Sequence, residues 1–337
     1  MNKKELRKIM SVQSKSHQTK DMQDYIIETL ATIGHKLKKH TLTYSRDTYG
    51  NIYATKELIN GATLYPTMVC HIDTVHDINK NVEVFERDGV MFAMDMLEVC
   101  QYGIGGDDKV GIYITLELLK HFDNFKAVFF LDEEVGCLGS SRANFEFFND
   151  STFILQCDRK GHSDFVNNIG GMQLYNKDIQ DVITEILNNY DRKEVTGGMT
   201  DVQSIAENTD CQVANMSCGY YNPHTEEEWI DLRDVDETFK MCKDILTVTA
   251  NKLYRMKREP KIDYNYHNMW GMEEFPCPTC NARTLLDDYD DERFCVNCME
   301  YTHNMMEDET MKIANEFKMS DHDYSDYNDY NNLNLIK

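Results

Sequence analysis

The sequence predicts an α/β protein, a mostly parallel or mixed sheet with helices on both faces, followed by a small C-terminal zinc ribbon. Three observations predict it. Short apolar, strand-like runs alternate with segments whose apolar residues recur at the spacing of a helix face, the order that layers helices over a sheet. Acidic and histidine residues come just after most of those runs: His71 and Asp73 in MVCHIDTV, Asp107 in GIGGDDKVG, Glu133 and Glu134 in FFLDEEVG, Asp158 in FILQCDRKG and His224 in YNPHTEEE. Loops at the carboxyl ends of sheet strands converge, so side chains placed there meet. Finally, two CxxC pairs near the end of the chain mark a separate small unit.

The elements follow in order. A helix over about residues 20–33 carries Met22, Tyr25, Ile26, Leu30 and Ile33 on one face. Strands are expected near residues 40–44 and 51–56, and a third over 67–70 ends at His71. The helix over 109–121 buries Val110, Tyr113, Ile114 and Leu118. A strand over 126–131 leads to Glu133, and another near Phe153 leads to Asp158. Helices over about 178–189 and 201–207 precede a strand over 212–217, and a helix over about 235–254 turns Phe239, Cys242, Ile245, Leu246 and Leu253 inward. The organisation expected is a catalytic domain over 1–256, a linker over 257–274 in which Pro260 breaks the preceding helix, a ribbon over 275–304, and over 305–337 a short helix and an acidic tail that reads as disordered.

Carboxylates and imidazoles brought together without a basic cluster need a metal. Imidazole and carboxylate without thiolate suit zinc, with manganese or cobalt as alternatives. One catalytic zinc takes three protein ligands and keeps a position open. Five candidate ligands with acids to spare fit two metals sharing a bridging carboxylate better. Within Glu133-Glu134, one carboxylate would bind metal and its neighbour would act as general base. Taken singly, each residue has an ordinary reading: a packed histidine, an acidic turn at 132–134, a helix cap at Asp107-Asp108. The set in this order is what points to a metal site.

HIDTV, GGDDKVG, DEEVG, the aspartate after an apolar strand and the late histidine together resemble the dinuclear zinc exopeptidases, a family that includes peptidase T, glutamate carboxypeptidase and acetylornithine deacetylase. The resemblance covers about residues 10–252, with DTYGNIYA similar to the family's early hairpin and GGMTDV to its glycine-rich return to the catalytic domain. It implies that His71 and Asp158 hold one metal, that Glu134 and His224 hold the other, and that Asp107 bridges them. It further implies that Asp73 orients His71, that Glu133 is the general base, and that the Asp107-Asp108 peptide is cis. His76 fills no family ligand position. Many relatives insert a lid domain between the Asp158 and GGMTD positions. Here 38 residues, 159 to 196, separate Asp158 from Gly197, enough for a strand or hairpin and one helix. The lid-type dimer and the lid's arginine clamp are therefore not expected. Arg159, Lys160 and Asn222 are candidate substrate contacts in their place, although Arg159 and Lys160 are equally readable as solvated or ion-paired.

Cys277 and Cys280, with Cys295 and Cys298, form two CxxC knuckles 14 residues apart. Four thiolates complete a tetrahedral zinc and leave no open position, so the role expected is structural. Zinc would supply folding energy to a unit of about 30 residues that is too small for an adequate core. The segment between the knuckles carries Arg283 and Arg293 against Asp287, Asp288, Asp290, Asp291 and Glu292, so phosphate would repel it and a protein partner is the better expectation. The net charge of −23 likewise disfavours nucleic acid and anionic membranes. The remaining seven cysteines, Cys70, Cys100, Cys137, Cys157, Cys211, Cys218 and Cys242, lack disulfide spacing and point to a reducing, cytoplasmic setting. The expected activity is metal-dependent hydrolysis of a peptide by an aminopeptidase, dipeptidase or tripeptidase. The alternative is an N-acyl amino acid deacylase, and a non-catalytic ribbon protein ranks below both.

Overall fold

The computed structural model describes residues 1–258 and, beyond them, four short strand segments. The chain divides into two compact units, Met1–Pro260 and Lys261–Lys337. In the first unit the strands are β1 His40–Arg46, β2 Ile52–Leu58, β3 Tyr65–His71, β4 Val82–Arg87, β5 Val90–Asp95, β6 Cys100–Tyr102, β7 Phe125–Phe130, β8 Ser151–Gln156, β9 Asp164–Ile169, β10 Met172–Gln173, β11 Lys193–Gly197, β12 Val213–Met216, β13 Tyr220–Tyr221 and β14 Trp229–Asp231. The helices are α1 Lys3–Met10, α2 Lys20–Lys36, α3 Gly106–His121, α4 Leu138–Ser141, α5 Lys177–Asn189, α6 Asp201–Asn208 and α7 Leu232–Val248.

The central sheet runs β1-β2-β7-β3-β8-β12-β9-β10, with β11 alongside β9. Its middle strands β7, β3, β8 and β12 are mutually parallel, while β1, β2, β9 and β10 add antiparallel pairs. The sheet is therefore mixed with a parallel heart, as the alternating pattern predicts. Strands β3, β7 and β8 are buried along their whole length, because helices cover both faces of a parallel sheet. Helix α3 runs through the interior and buries Val110, Ile112, Tyr113, Ile114, Leu116, Leu118 and Leu119. Asp107 and Asp108 in its first turn are non-helical, so the regular helix starts at Lys109, the expected position.

Three features differ from the sequence-based expectation. A second sheet, β13-β14-β5-β4 with β6 on β5, is built from residues 82–102 and 220–231. Its strands are short, and β5 alternates buried and half-buried residues, which leaves only a weak apolar signal. Helix α1, with Leu6, Ile9 and Met10 buried, was also not anticipated. The final helix spans Leu232–Val248 rather than 235–254; its end is set at Thr249, whose amide and hydroxyl both bond the Ile245 carbonyl. The segment after Asp158 forms the β9–β10 hairpin, α5 and β11, and these strands join the central sheet instead of building a separate lid.

In the second unit the described strands are β15 Phe275–Pro276, β16 Arg283–Leu286, β17 Arg293–Phe294 and β18 Tyr301–Thr302, antiparallel in the order β15-β16-β17-β18. Cys277, Cys280, Cys295 and Cys298, like most of the linker and the acidic tail, lie outside the described residues.

Ile154, fully buried on β8, faces Thr67 of β3 and Val213 of β12. Ile154→Ala should cost about 2–5 kcal/mol of stability through lost burial and a residual cavity. The urea midpoint should fall with an unchanged slope; an unmoved midpoint would contradict this packing.

Candidate metal centre

The site is assembled where the parallel strands end. His71 is the last residue of β3, Glu133 and Glu134 follow β7, and Asp158 follows β8. Asp107 comes from the irregular first turn of α3, and His224 from the connection between β13 and β14. All five candidate ligands converge in two overlapping groups, His71 with Asp107 and Asp158, and Asp107 with Glu134 and His224. Within each group the ligand atoms lie within 4.8 Å of one another. Asp107 belongs to both. Its Oδ1 lies 3.2 Å from His71 Nε2, and its Oδ2 lies 3.4 Å from His224 Nε2. His71 Nε2 is also 3.6 Å from Asp158 Oδ1, and His224 Nε2 is 3.0 Å from Glu134 Oε2.

His71, Asp107, Asp158 and the Glu133-Glu134 segment are held from behind. The His71 Nδ1–H donates to the Asp73 carbonyl at 3.0 Å, with the Asp73 carboxylate at 3.5 Å, which leaves Nε2 to face the site. The same carboxylate accepts from the Glu133 and Glu134 amides at 3.0 and 3.3 Å and from the Ser16 hydroxyl at 2.7 Å. Asp73 therefore fixes His71 and the Glu133-Glu134 pair together. Asn215 on β12 clamps Asp158 by accepting from its amide at 2.9 Å and donating to its carbonyl at 2.7 Å. Thr200 and Gln156 donate to Asp158 Oδ2, and the Tyr220 hydroxyl donates to Oδ1. Asp107 is aimed by Glu228, a fully buried carboxylate that accepts from the Asp107 amide at 3.0 Å and the Gly105 amide at 2.7 Å.

Two glycines of GIGGDDKVG have steric roles here. Gly105 has φ +68°, the left-handed region. A Cβ on Gly106 would stand 2.7 Å from the Tyr220 Cβ, so the close approach of β13 to the Asp107 turn requires glycine. The Asp107-Asp108 peptide is cis, as the resemblance implies.

The charge balance bears on what the site holds. Glu133, Asp107, Asp158, Glu134, Asp201 and Asp73 meet here, and among the described residues their cationic partners are His71 and His224. Burial pushes the Glu133 carboxyl up to about 9, with His71 opposing and Asp158, Asp201 and Glu134 adding to the rise. Burial likewise raises Asp201 to about 7, and burial with the Asp107 charge raises Asp158 to about 6. Burial works against a charged His71, but hydrogen bonds to Asp107, Asp158 and Asp73 outweigh it and hold its pKa well above the usual value. Hydrogen bonds to Asp107 and Glu134 push His224 up to about 10. Glu134 Oε1 is buried with no hydrogen-bond partner. An excess of buried carboxylate and an orphaned buried carboxylate oxygen fit divalent cations, whose charge would satisfy both.

Among the sequence candidates, Arg159 sits in an ion pair with Asp164 at 2.8 Å, and the Asn222 amide reaches the Glu227 carbonyl at 3.4 Å. Asn222 lines a shallow surface depression with Val90, Phe92, Gln101, Glu227 and Trp229. Sequence reasoning missed Glu228, Asp201, Gln156, Thr200, Asn215 and Tyr220. Thr200 and Asp201 lie in the quoted GGMTDV, and Gln156 lies in the strand before Asp158, but nothing in their spacing gave them a role. His76, set aside as a ligand, bonds Glu228 at 2.9 Å.

Residues 88–241, less than half of the chain, match the M42 glutamyl aminopeptidase family. The match is to that family and not to the peptidase T, glutamate carboxypeptidase and acetylornithine deacetylase group named on the motifs. A comparison with curated proteins gives no match. Several solved structures share the fold. The aminopeptidase PepT of Bacillus cereus ATCC 10987 is 13% identical, with a TM-score of 0.59 over 73% of this chain and 97% of that one. A tripeptidase of Staphylococcus aureus subsp. aureus Mu50 is 14% identical, with a TM-score of 0.59 over 73% and 97%. The TET1 peptidase of Pyrococcus horikoshii is 14% identical, with a TM-score of 0.51 over 72% and 98%. At these identities the likeness establishes the fold. No helix among the described residues is long and apolar enough to cross a membrane.

Two outcomes follow from this geometry. Asp73→Asn should weaken metal binding in the cleft by about 10–100-fold, the usual cost of losing a group that orients a ligand, read by competition with a chelator; unchanged affinity would remove Asp73 from that role. A metal would also displace the protons that His71 and His224 hold across this pH range and, near pH 6 only, part of one on Asp158. With His224 raised to about 10 and Asp158 to about 6, affinity should increase as pH rises from 6 to 8, by about tenfold per unit for each proton released. A flat pH dependence in the same competition assay would contradict the coupling.

Proposed function

We propose that the first unit is a two-metal peptidase of the aminopeptidase type. The single observation that carries this reading is the placement of Asp107, with one carboxylate oxygen toward His71 and the other toward His224. His71 and Asp158 would hold one ion, Glu134 and His224 the other, and Asp107 would bridge. Two divalent ions so held would lower the pKa of a water and polarise a scissile carbonyl. Glu133, next to ligand Glu134 but outside both ligand groups, is the general base. Its half-buried carboxyl would accept the water's proton and return it to the leaving amine. Asp73 keeps the base and the His71 ring in register through the bonds described above. Asn222 and Arg159 are the candidate substrate contacts, Asn222 being two residues from His224. Arg159 would have to leave Asp164 to serve.

The partial M42 match and the fold shared with an aminopeptidase and a tripeptidase support peptide cleavage over N-acyl amino acid deacylation. Zinc is the preferred metal, ahead of manganese and cobalt, because the donor set mixes imidazole and carboxylate. Cys277, Cys280, Cys295 and Cys298 are assigned a separate structural zinc in the second unit, with contact to another protein as its role. The TET1 peptidase is described as assembling into a tetrahedron or a large octahedral shell. Any assembly of the present chain would have to use surfaces other than a lid, since residues 162–196 form none.

Glu133→Gln should retain both cleft metals and lose about two to four orders of magnitude in turnover. Glu134→Gln should lose one cleft metal and regain part of its activity with added zinc. Steady-state kinetics with elemental analysis on both variants decide the assignment. Metal loss in the first variant with retention in the second would reverse the two roles. Short peptides with a free amino terminus should be cleaved and N-acyl amino acids left intact; the opposite preference would favour the deacylase. His71→Ala and His224→Ala should lose cleft metal only, whereas Cys277→Ser should lose the zinc of the second unit only.

A further inference from the structure

Outside the cleft, a third group of potential ligands comes together from two distant parts of the chain. His162, Asp234 and Glu237 place an imidazole nitrogen and two carboxylate oxygens within 4.8 Å of one another. His162 belongs to the connection between β8 and β9, four residues after Asp158. Asp234 and Glu237 are one turn apart on α7, which follows the β13–β14 hairpin that carries His224.

The geometry points to a second, auxiliary divalent-cation site formed by these three side chains, with zinc as the ion its donor set suits. Three arguments carry it. The first is donor chemistry: one imidazole and two carboxylates with room for water is a common open set for a first-row divalent ion. The second is preorganisation. The His162 loop is fixed on both sides by main-chain bonds, Gly161 N–H to the Tyr220 carbonyl and Gly219 N–H to the Gly161 carbonyl at 2.8 Å each, and Lys193 N–H to the Ser163 carbonyl at 2.7 Å. Asp234 is oriented by the Tyr221 hydroxyl at 2.5 Å, and Tyr221 is itself stacked on Trp229. The entropy of ordering these ligands is largely met before an ion arrives.

The third argument is the absence of a competing cation among the described residues. Neither Asp234 nor Glu237 is in an ion pair with lysine or arginine. Arg233, in the same helical turn, is committed to Asp231 at 3.0 Å. Lys240 and the chain's amino terminus are both committed to Asp236. Arg192 donates to the Ser217 carbonyl and the Thr238 hydroxyl. An ion here would tie the segment that follows Asp158 to the helix that follows His224, bracing from outside two segments that carry candidate cleft ligands. The inference does not depend on peptide cleavage.

The experiment uses the full chain. Wild type and His162→Ala are dialysed against zinc chloride, desalted together and compared for zinc per chain, for the zinc-dependent rise in melting temperature, and for peptide turnover. His162→Ala should carry one zinc fewer per chain, lose part of the zinc-dependent rise, and keep wild-type turnover. Glu237→Gln, a substitution at an exposed position, should reproduce the loss and guards against a folding defect in the first variant. Equal zinc content and superimposable melting curves across the zinc range in all three proteins would overturn the site.

Discussion

The structure of the first unit depends on one electrostatic constraint: the carboxylates of Asp73, Asp107, Glu133, Glu134, Asp158 and Asp201 and the imidazoles of His71 and His224 are gathered around the ends of parallel strands, mostly out of water, and among the described residues no lysine or arginine pairs with them. Desolvated like charges do not assemble without compensation. In the protein alone, part of that compensation is protons. Glu133, Asp158 and Asp201 are raised and both histidines are held charged. Two divalent ions would replace those protons, and Asp107, which belongs to both side-chain groups, would lie between them.

Much of the surrounding sequence is explained by the need to hold that arrangement. Glu228 is buried so that the amides of Gly105 and Asp107 have an acceptor, and Gly106 is small because β13 packs directly against that turn. Asp73 joins the β3 end to the β7 end, and Asn215 joins β8 to β12. Each link crosses between neighbouring strands, so the parallel order β7-β3-β8-β12 is what converts four separate strand ends into one rigid donor array.

What could be read from the sequence follows from how local each signal is. His71, Glu133, Glu134 and Asp158 were legible because each closely follows an apolar run whose strand character is strong. The start of regular α3 at Lys109 was legible from the helical spacing of Val110, Tyr113, Ile114 and Leu118. Glu228 was not, because its meaning lies in a contact with Asp107, 121 residues away, and nothing in the acidic run HTEEEW around it gave it a role. The second sheet escaped because β6, β13 and β14 are two or three residues long and present no periodicity. Arg159 shows the limit from the other side. Proximity to a ligand suggested substrate contact, while the fold supplies Asp164 as its partner.

The central claim is that Asp107 bridges two ions. Anomalous diffraction from crystals of the zinc-loaded protein, recorded at the zinc edge, tests it most directly. The account predicts two peaks in the cleft, about 3.5–4 Å apart as in other two-metal sites, one beside His71 and Asp158, the other beside Glu134 and His224, with Asp107 between them. A single cleft peak, or two peaks with Asp107 bound to only one, would contradict it.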